Sequence, residues 1–266
     1  MAKRKMAPQT PNSVPPLKIP KDFRRLLTGL GSSVGVVDAG FNPSVRGRGG
    51  QFFDFTNPRG TALDETSTQH GTTVMATIHR YSPGAVLHGA KVGGSDNALN
   101  SILTMRPLEW CRNQNVDVVN LSLGFPMTGC LHGNCLLCDL VNALVDGGVV
   151  VVVAAGNLAS GVKGGRTIRC PGIAERALTV GALDESGARF APYSVDTVPG
   201  RAKPDVLAPG TVISGDGTRH EGTSFAAPLV TAMVANLCPC IGFQQAADLV
   251  RQTADKRLIP SRMQAC

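Results

Sequence analysis

Short apolar runs recur along the chain and are separated by turns that contain glycine or proline. Most of these runs are continuous rather than alternating, a pattern typical of strands that are buried on both faces of a parallel sheet. The predicted strands span 33–38, 51–55, 85–92, 116–124, 149–155, 177–183 and 205–207. Helical spacing predicts helices at 69–78, 98–115, 138–146, 223–237 and 244–254, the second of them interrupted at Pro107. The alternation of strand and helix predicts an α/β fold with a mostly parallel central sheet and helices on both faces.

The composition is that of a globular protein with one large domain. The chain has 266 residues, of which 42% are hydrophobic and 17% are charged. Its beginning differs, because the first 28 residues are rich in proline and in basic side chains. We expect residues 1–28 to form a flexible basic N-terminal arm and residues 29–266 to form the folded domain.

The net charge of +7 would suit an anionic partner. However, most of the basic residues are scattered and no aromatic residues interleave with them, so we expect no nucleic-acid partner. No apolar run reaches membrane-spanning length by inspection, and the basic first 20 residues lack an apolar signal-peptide core. We therefore expect no membrane partner and favour a cytoplasmic over a secreted location. The oligomeric state is left open.

Three residues at the ends of predicted elements carry candidate chemistry. Asp38 ends the first predicted strand, His70 opens the first predicted helix, and Ser224 precedes the long apolar helix. Each has an ordinary alternative: a turn-capping acid, a cap or surface histidine, and a helix N-cap, a role that Thr223 could also fill. Together they offer a weak nucleophile, a base that can activate it and an acid that can orient the base.

Six stretches of the sequence resemble the subtilisin-like serine protease (subtilase) family. They occur in the family's order and extend over residues 30–240, most of the chain. The stretches are VVDAG at 36–40, HGT at 70–72, VNLSLG at 119–124, AAGN at 154–157, KPDVLAPG at 203–210 and GTSFAAP at 222–228. The resemblance implies a three-layer subtilisin-like fold and a serine endopeptidase that cleaves peptide or protein substrates without a cofactor.

The resemblance also implies a role for each residue of the site. Asp38 would orient His70, His70 would act as general base and then acid, and Ser224 would form the acyl-enzyme. Asn157 matches the family's oxyanion asparagine and would act together with the Ser224 backbone N–H. The edges of the substrate cleft would be formed by Leu121, Ser122, Leu123, Gly124, Ala154, Ala155 and Gly156.

Several features depart from the family or leave alternatives open. The 37 residues before Asp38 are too few for the family's inhibitory prodomain, which is either removed or not needed. We expect no tight calcium site between residues 81 and 85, because this stretch has no carboxylate. A protease dedicated to one precursor peptide and a non-catalytic peptide-binding pseudoprotease are the alternatives to a general endopeptidase.

Two clusters of side chains lie outside the six stretches. Lys163, Arg166 and Arg169 follow Asn157, where the family builds the pocket for the side chain before the cleaved bond. They suggest a preference for acidic or polar side chains, although an exposed basic loop has the same composition.

The second cluster consists of Cys130, His132, Cys135 and Cys138, with Cys111 on a preceding helix. Its spacing resembles that of metal ligands but lacks a good second pair. We therefore favour disulfides or free thiols and predict no metal site.

Overall fold

The computed structural model describes residues 28–93, 101–125, 130, 132–158, 166–198 and 200–253. The predicted N-terminal arm lies almost wholly outside these residues, so the boundary at residue 28 stays a prediction. Nine strands and five α-helices are found within the described residues.

A seven-stranded parallel sheet forms the middle of the domain, with the strand order β2-β3-β1-β4-β5-β6-β7. Its inner strands are almost entirely buried, as their valine-rich runs require. The strands are β1 (Ser33–Asp38), β2 (Phe52–Asp54), β3 (Val86–Lys91), β4 (Val118–Leu121), β5 (Val150–Ala154), β6 (Leu178–Leu183) and β7 (Val206–Pro209).

Helices cover both faces of this sheet. They are α1 (His70–Tyr81), α2 (Ser101–Asn113), α3 (Leu136–Asp146), α4 (Thr223–Ile241) and α5 (Phe243–Thr253). Buried side chains of α1, α4 and α5 share one apolar core with the sheet, and those of α2 and α3 share the other. The expected three-layer α/β architecture is therefore confirmed.

Helix α4 is the central helix of the first core. Contrary to expectation, it is long and apolar enough to cross a membrane, judged by length and composition alone. We predicted no run of membrane-spanning length because we expected the helix to end at residue 237, whereas it continues through Pro239 to Ile241. However, 61% of its most apolar window is buried inside the domain, where it packs on the sheet.

Two local predictions also need correction. Helix α2 runs without a break through Pro107, whose ring is buried, so neither an interruption nor a second helix start exists there. A two-stranded antiparallel sheet, β8 (Thr211–Ile213) with β9 (Arg219–Glu221), was not predicted. Its strands have only three residues each, too few for a periodicity to be recognised.

Candidate active site

The candidate residues meet at the carboxyl edge of three neighbouring strands. Strand β4 lies between β1 and β5. Asp38 is the last residue of β1, Ser122 follows β4, and Asn157 comes three residues after β5. His70 and Ser224 stand in the first turns of α1 and α4, which begin at this edge. Open α/β sheets form their sites at such carboxyl ends.

Asp38 and His70 form a hydrogen-bonded pair. The Asp38 Oδ1 and His70 Nδ1 atoms are 2.7 Å apart, and the exposed fractions of the two side chains are 3% and 25%. The Ala39 N–H also donates to Asp38 Oδ1, at 2.7 Å. Gly71 must lack a side chain, because a Cβ there would lie 2.3 Å from the Gly40 carbonyl oxygen and 3.0 Å from Asp38 Cβ. With the Nδ1 proton held by Asp38, His70 Nε2 has a lone pair available as a base.

The environment of His70 favours its protonated form. Burial lowers the pKa of His70, but the charge and hydrogen bond of Asp38, together with the charge of Asp64, outweigh burial. The net effect raises the pKa of His70 above its usual value. A base with a raised pKa accepts a proton more readily, and it is available only above that pKa.

Asp64 also anchors the start of α1, a role that the sequence did not reveal. The N-cap residue Gln69 makes no side-chain cap bond to the helix. Instead Asp64 Oδ2 accepts hydrogen bonds from the Thr72 N–H at 3.0 Å and from Thr72 Oγ1 at 2.9 Å. Asp64 Oδ1 accepts from Thr66 Oγ1 at 2.6 Å. This buried carboxylate therefore substitutes for a cap and positions the turn that carries His70.

Ser224 is oriented toward the sheet rather than toward His70. Its hydroxyl donates to the Ser122 carbonyl oxygen at 3.1 Å, and the Ser122 hydroxyl donates to the Ser224 carbonyl oxygen at 2.7 Å. No hydrogen bond joins the described side chains of Ser224 and His70. The next residue, Phe225, lies beside the imidazole with its ring centroid 5.3 Å away. The structure therefore joins acid and histidine and places Phe225, the residue after the serine, beside the imidazole, while the serine hydroxyl is directed to Ser122.

A buried polar chain ties α4 to β4 behind Ser224. The Thr231 hydroxyl donates to Asn120 Oδ1 at 2.9 Å, and Asn120 Nδ2 donates to the Ser122 hydroxyl at 2.9 Å. Both Asn120 and Thr231 are fully buried. Paired polar groups in such a dry setting fix one geometry, since a slip would leave them unsatisfied. This role of Asn120 and Thr231 could not be recognised from the sequence, because the two residues lie 111 positions apart along the chain.

Asn157 is held by Thr223. The Thr223 N–H and hydroxyl reach Asn157 Oδ1 at 2.9 and 3.2 Å, and Thr223 Oγ1 accepts from the Gly156 N–H at 3.0 Å. These bonds direct the Asn157 Nδ2 group away from Thr223. Because Thr223 and Ser224 use their hydroxyls in this way, neither caps α4, and the N-cap is Gly222.

Two unpaired donors converge beside Gly222. The position that a Cβ would take on Gly222 lies 3.2 Å from Asn157 Nδ2 and 3.7 Å from the Ser224 backbone nitrogen. Neither group donates to an acceptor in the described part of the chain. Two such donors at a helix N-terminus can hold a negatively charged oxygen. A side chain at residue 222 would enter the same space.

The predicted cleft residues differ in accessibility. Leu121 and Ala154 lie within the sheet with their backbones paired, and Ser122, Leu123 and Ala155 are also buried. Gly124 is exposed and Gly156 is half-buried. The two glycines therefore offer the accessible edges, and the other five residues lie beneath or behind them.

Arg169 packs between these two glycines. A Cβ on Gly124 would lie 2.7 Å from Arg169 Cβ, and a Cβ on Gly156 would lie 2.2 Å from Arg169 Cγ. The half-buried Arg169 side chain makes no hydrogen bond or ion pair with another described residue. Arg166, in contrast, is paired with Asp196 at 2.9 Å, and Lys163 lies outside the described residues.

In this site a histidine–carboxylate pair and a serine in the first turn of a helix meet at one edge of the sheet. Hydrolases with a nucleophilic serine share this arrangement. The model of the subtilase family matches residues 29–261. Subtilisin BL from Lederbergia lenta is 32% identical over 253 residues, which cover 86% of this chain and 84% of that protein. The chain therefore belongs to the subtilase family, as its motifs predicted, and its enzyme class is that of the subtilisin-like serine endopeptidases.

Solved structures show the same fold. A cold adapted subtilisin-like serine proteinase superposes with a TM-score of 0.68 at 22% identity and covers 86% of both chains. The prenylagaramide maturation protease PagA superposes with a TM-score of 0.63 at 21% identity, over 83% of this chain and 80% of that one.

Proposed function

We propose that the protein is a serine endopeptidase that acts through an acyl-enzyme formed on Ser224. The observation that carries the proposal is the 2.7 Å pair of Asp38 and His70, placed beside the N-terminus of the helix that bears Ser224. A free serine hydroxyl is a poor nucleophile at neutral pH, so an adjacent base is the necessary element.

In the proposed reaction, the Ser224 hydroxyl leaves the Ser122 carbonyl and turns toward His70 Nε2. His70 takes its proton while Ser224 Oγ bonds to the substrate carbonyl carbon, and the imidazolium is stabilised by Asp38. Asn157 Nδ2 and the Ser224 N–H hold the oxyanion. His70 then gives the proton to the leaving amine as the C–N bond breaks, and water hydrolyses the acyl-enzyme by the same steps.

The substrate would bind as an extended peptide along Gly124 and Gly156. Such a segment pairs with cleft backbone as an added strand. Once the Ser224 hydroxyl has turned away, the Ser122 carbonyl is free to accept a peptide N–H. The rotation of one side chain would thus both activate the nucleophile and open a substrate contact.

Arg169 supports a preference for acidic side chains before the cleaved bond. Its chain lies between the two accessible glycines, and its guanidinium is paired with none of the described residues. A substrate carboxylate would satisfy it. We expect Arg169→Gln to reduce the preference for Asp and Glu in a peptide library, whereas the matched change Arg166→Gln, at an arginine already paired with Asp196, leaves it unchanged. A wild-type profile without acidic enrichment would refute this preference.

The experiment that tests the catalytic proposal is labelling with a fluorophosphonate probe, followed by mass mapping. We expect an adduct on Ser224 in the wild-type protein, none in Ser224→Ala and much slower labelling in His70→Ala. Absence of an adduct on the folded wild-type protein would contradict the proposal. It would favour the pseudoprotease, which the resting bond from Ser224 to Ser122 also permits.

A protease dedicated to one precursor is the second candidate. The observation that favours it is the Arg169 side chain inside the cleft, which narrows the range of substrates. The likeness to PagA concerns the fold alone at 21% identity. Cleavage of casein would speak for a general endopeptidase, whereas cleavage confined to one member of a precursor-peptide panel would speak for the dedicated one.

A further inference from the structure

Four cysteines from three segments of the chain come together behind the cleft. The Sγ atoms of Cys130, Cys135, Cys138 and Cys170 all lie within 4.8 Å of one another. Three of the distances are 3.5 Å for Cys130–Cys138, 3.4 Å for Cys135–Cys170 and 3.5 Å for Cys138–Cys170. The fourth member could not be recognised from the sequence, because 31 residues separate Cys170 from Cys138 along the chain.

The other residues of the predicted cysteine cluster play no part in this group. Cys111 packs on β1 instead, where its Sγ would lie 2.7 Å from a Cβ on Gly35. The side chain of His132 is not among the four grouped ligands. The cluster therefore consists of four thiols rather than the mixed and incomplete set that the spacing suggested.

The geometry of the four sulfurs suits a tetrahedral zinc ion. With Zn–S bonds of about 2.3 Å, the sulfurs of such a site lie about 3.8 Å apart. The three short distances are close to this edge and far from the roughly 2.05 Å of a disulfide. Cys138 also contacts two other sulfurs rather than a single partner. In two separate disulfides each sulfur would contact one partner, whereas sulfurs bound to one central ion all contact one another. The shared contacts of Cys138 therefore fit a central ion better.

The surroundings suit a closed site. Cys130, Cys138 and Cys170 are buried, with exposed fractions of 4%, 0% and 4%, and Cys135 is half-buried. Cys135 and Cys138 have the two-residue spacing of many zinc sites and lie at the N-terminus of α3, which favours negatively charged thiolates. Four protein ligands leave no open position, the arrangement of a structural rather than a catalytic ion.

The cluster is connected to the substrate cleft through two backbone segments. Phe125 and Cys170 exchange both backbone hydrogen bonds, at 2.8 and 3.2 Å. Their neighbours Gly124 and Arg169 pack against each other in the cleft. We propose that Cys130, Cys135, Cys138 and Cys170 bind one Zn²⁺, which fastens the start of α3 and the segment after β4 to the segment that carries Arg169.

The test is the zinc content of the full chain, purified without chelators or nickel resin. It is measured on wild type and on Ser224→Ala, which prevents self-digestion and keeps the result independent of the proposed catalysis. We expect about one zinc per chain in both. The variant Cys135→Ser alters the half-buried ligand and is expected to lose the metal. The matched control Cys240→Ser changes an exposed cysteine outside the cluster and is expected to keep it.

Two further measurements keep the proposal falsifiable if Cys135→Ser does not fold. Replacement of zinc by cobalt in the wild-type chain should produce the visible absorption of a tetrahedral thiolate complex. Alkylation under denaturing conditions without reductant should find all four thiols reduced. An intact mass lower by four hydrogens, with peptide mapping that places both disulfides among these four cysteines, would overturn the proposal. So would reduced thiols in a folded wild-type chain that binds neither zinc nor cobalt.

Discussion

The two sides of the active site are held by different kinds of interaction. The acid–base side consists of Asp38, His70 and Asp64. It is held by hydrogen bonds to buried carboxylates, and Asp38 and His70 are already joined. The nucleophile side consists of Ser122, Asn157, Thr223 and Ser224. It is held by neutral hydrogen bonds, and the Ser224 hydroxyl points away from His70. Charge-assisted bonds are stronger than neutral ones. The difference suggests that the base is preorganised, whereas the nucleophile is completed when substrate displaces a resting bond.

The largest expected effect comes from the acid–base side. Asp38→Asn would present an amide N–H to His70 Nδ1 and thus leave the proton on Nε2, where the base must be free. We expect kcat to fall by roughly 10⁴-fold, the loss that follows when the acid of such a triad is replaced by its amide. Steady-state hydrolysis of a chromogenic peptide, with circular dichroism to verify folding, measures it. A loss of less than tenfold would mean that Asp38 does not control the tautomer.

On the nucleophile side, the oxyanion donor is the most sensitive position. Asn157→Ala removes Nδ2 from the space beside Gly222, and loss of one such donor costs on the order of 10²–10³ in kcat. KM should change little, because the interaction strengthens only as negative charge develops on the oxygen. An equal effect on KM would instead assign Asn157 to substrate binding, and the two neighbouring donors would then not form an oxyanion site.

Loss of the Thr223 hydroxyl, which holds Asn157, should lower kcat less than loss of Asn157 itself. Thr223→Val removes the hydroxyl that bridges Asn157 Oδ1 and the Gly156 N–H, but it keeps the backbone N–H that also holds Asn157. We expect a loss of about 1 kcal/mol, or roughly fivefold in kcat. Thr223→Ser retains the hydroxyl and should restore activity. If Thr223→Ser were as impaired as Thr223→Val, packing of the methyl group rather than the hydrogen bonds would explain the effect.

The same contrast shows which parts of the molecule could be predicted from sequence. The valine-rich runs identified the buried strands because a parallel sheet imposes one environment on every residue of a strand. Asp38, His70 and Ser224 were found because they stand at element ends within recognisable motifs. Asp64 and Cys170 gave no such signal, and Thr223 was recognised only as a possible helix cap, not as the residue that holds Asn157. Each acts through a partner that is distant in sequence or through a backbone group, and only the packed fold brings these groups together.

The resting direction of Ser224 could not be predicted either. The motif around it is the one that a competent serine would have, and the choice between Ser122 and His70 is a rotation of one side chain. The chain of Thr231, Asn120 and Ser122 links α4 to the end of β4 and thereby positions the Ser122 carbonyl that accepts this bond. Such a choice depends on a small energy difference within the assembled site, to which a local sequence pattern is insensitive.

The smallest expected effect distinguishes electrostatics from structure on the acid–base side. Asp38 and Asp64 both raise the pKa of His70, and catalysis requires the unprotonated Nε2, so kcat/KM should rise with pH through that raised pKa. Asp64→Asn removes one negative charge, lowers the pKa of His70 and should shift the acid limb of the profile to lower pH. The amide oxygen of Asn can still accept from Thr72, and its NH2 group can donate to the Thr66 hydroxyl in place of the bond that Asp64 Oδ1 accepts, so the plateau should fall only slightly.

Asp146→Asn is the matched control, since it removes the same charge from an exposed ion pair with Arg176 at the far end of α3. It should leave the acid limb where it is, because solvent and salt screen exposed charges at a distance. If the acid limb of the Asp64→Asn profile also stays in place, as in the control, then Asp64 only anchors the helix. A limb displaced with a much lower plateau would mean that the turn carrying His70 has moved. Only a displaced limb with a nearly intact plateau assigns to Asp64 an electrostatic role in tuning the base.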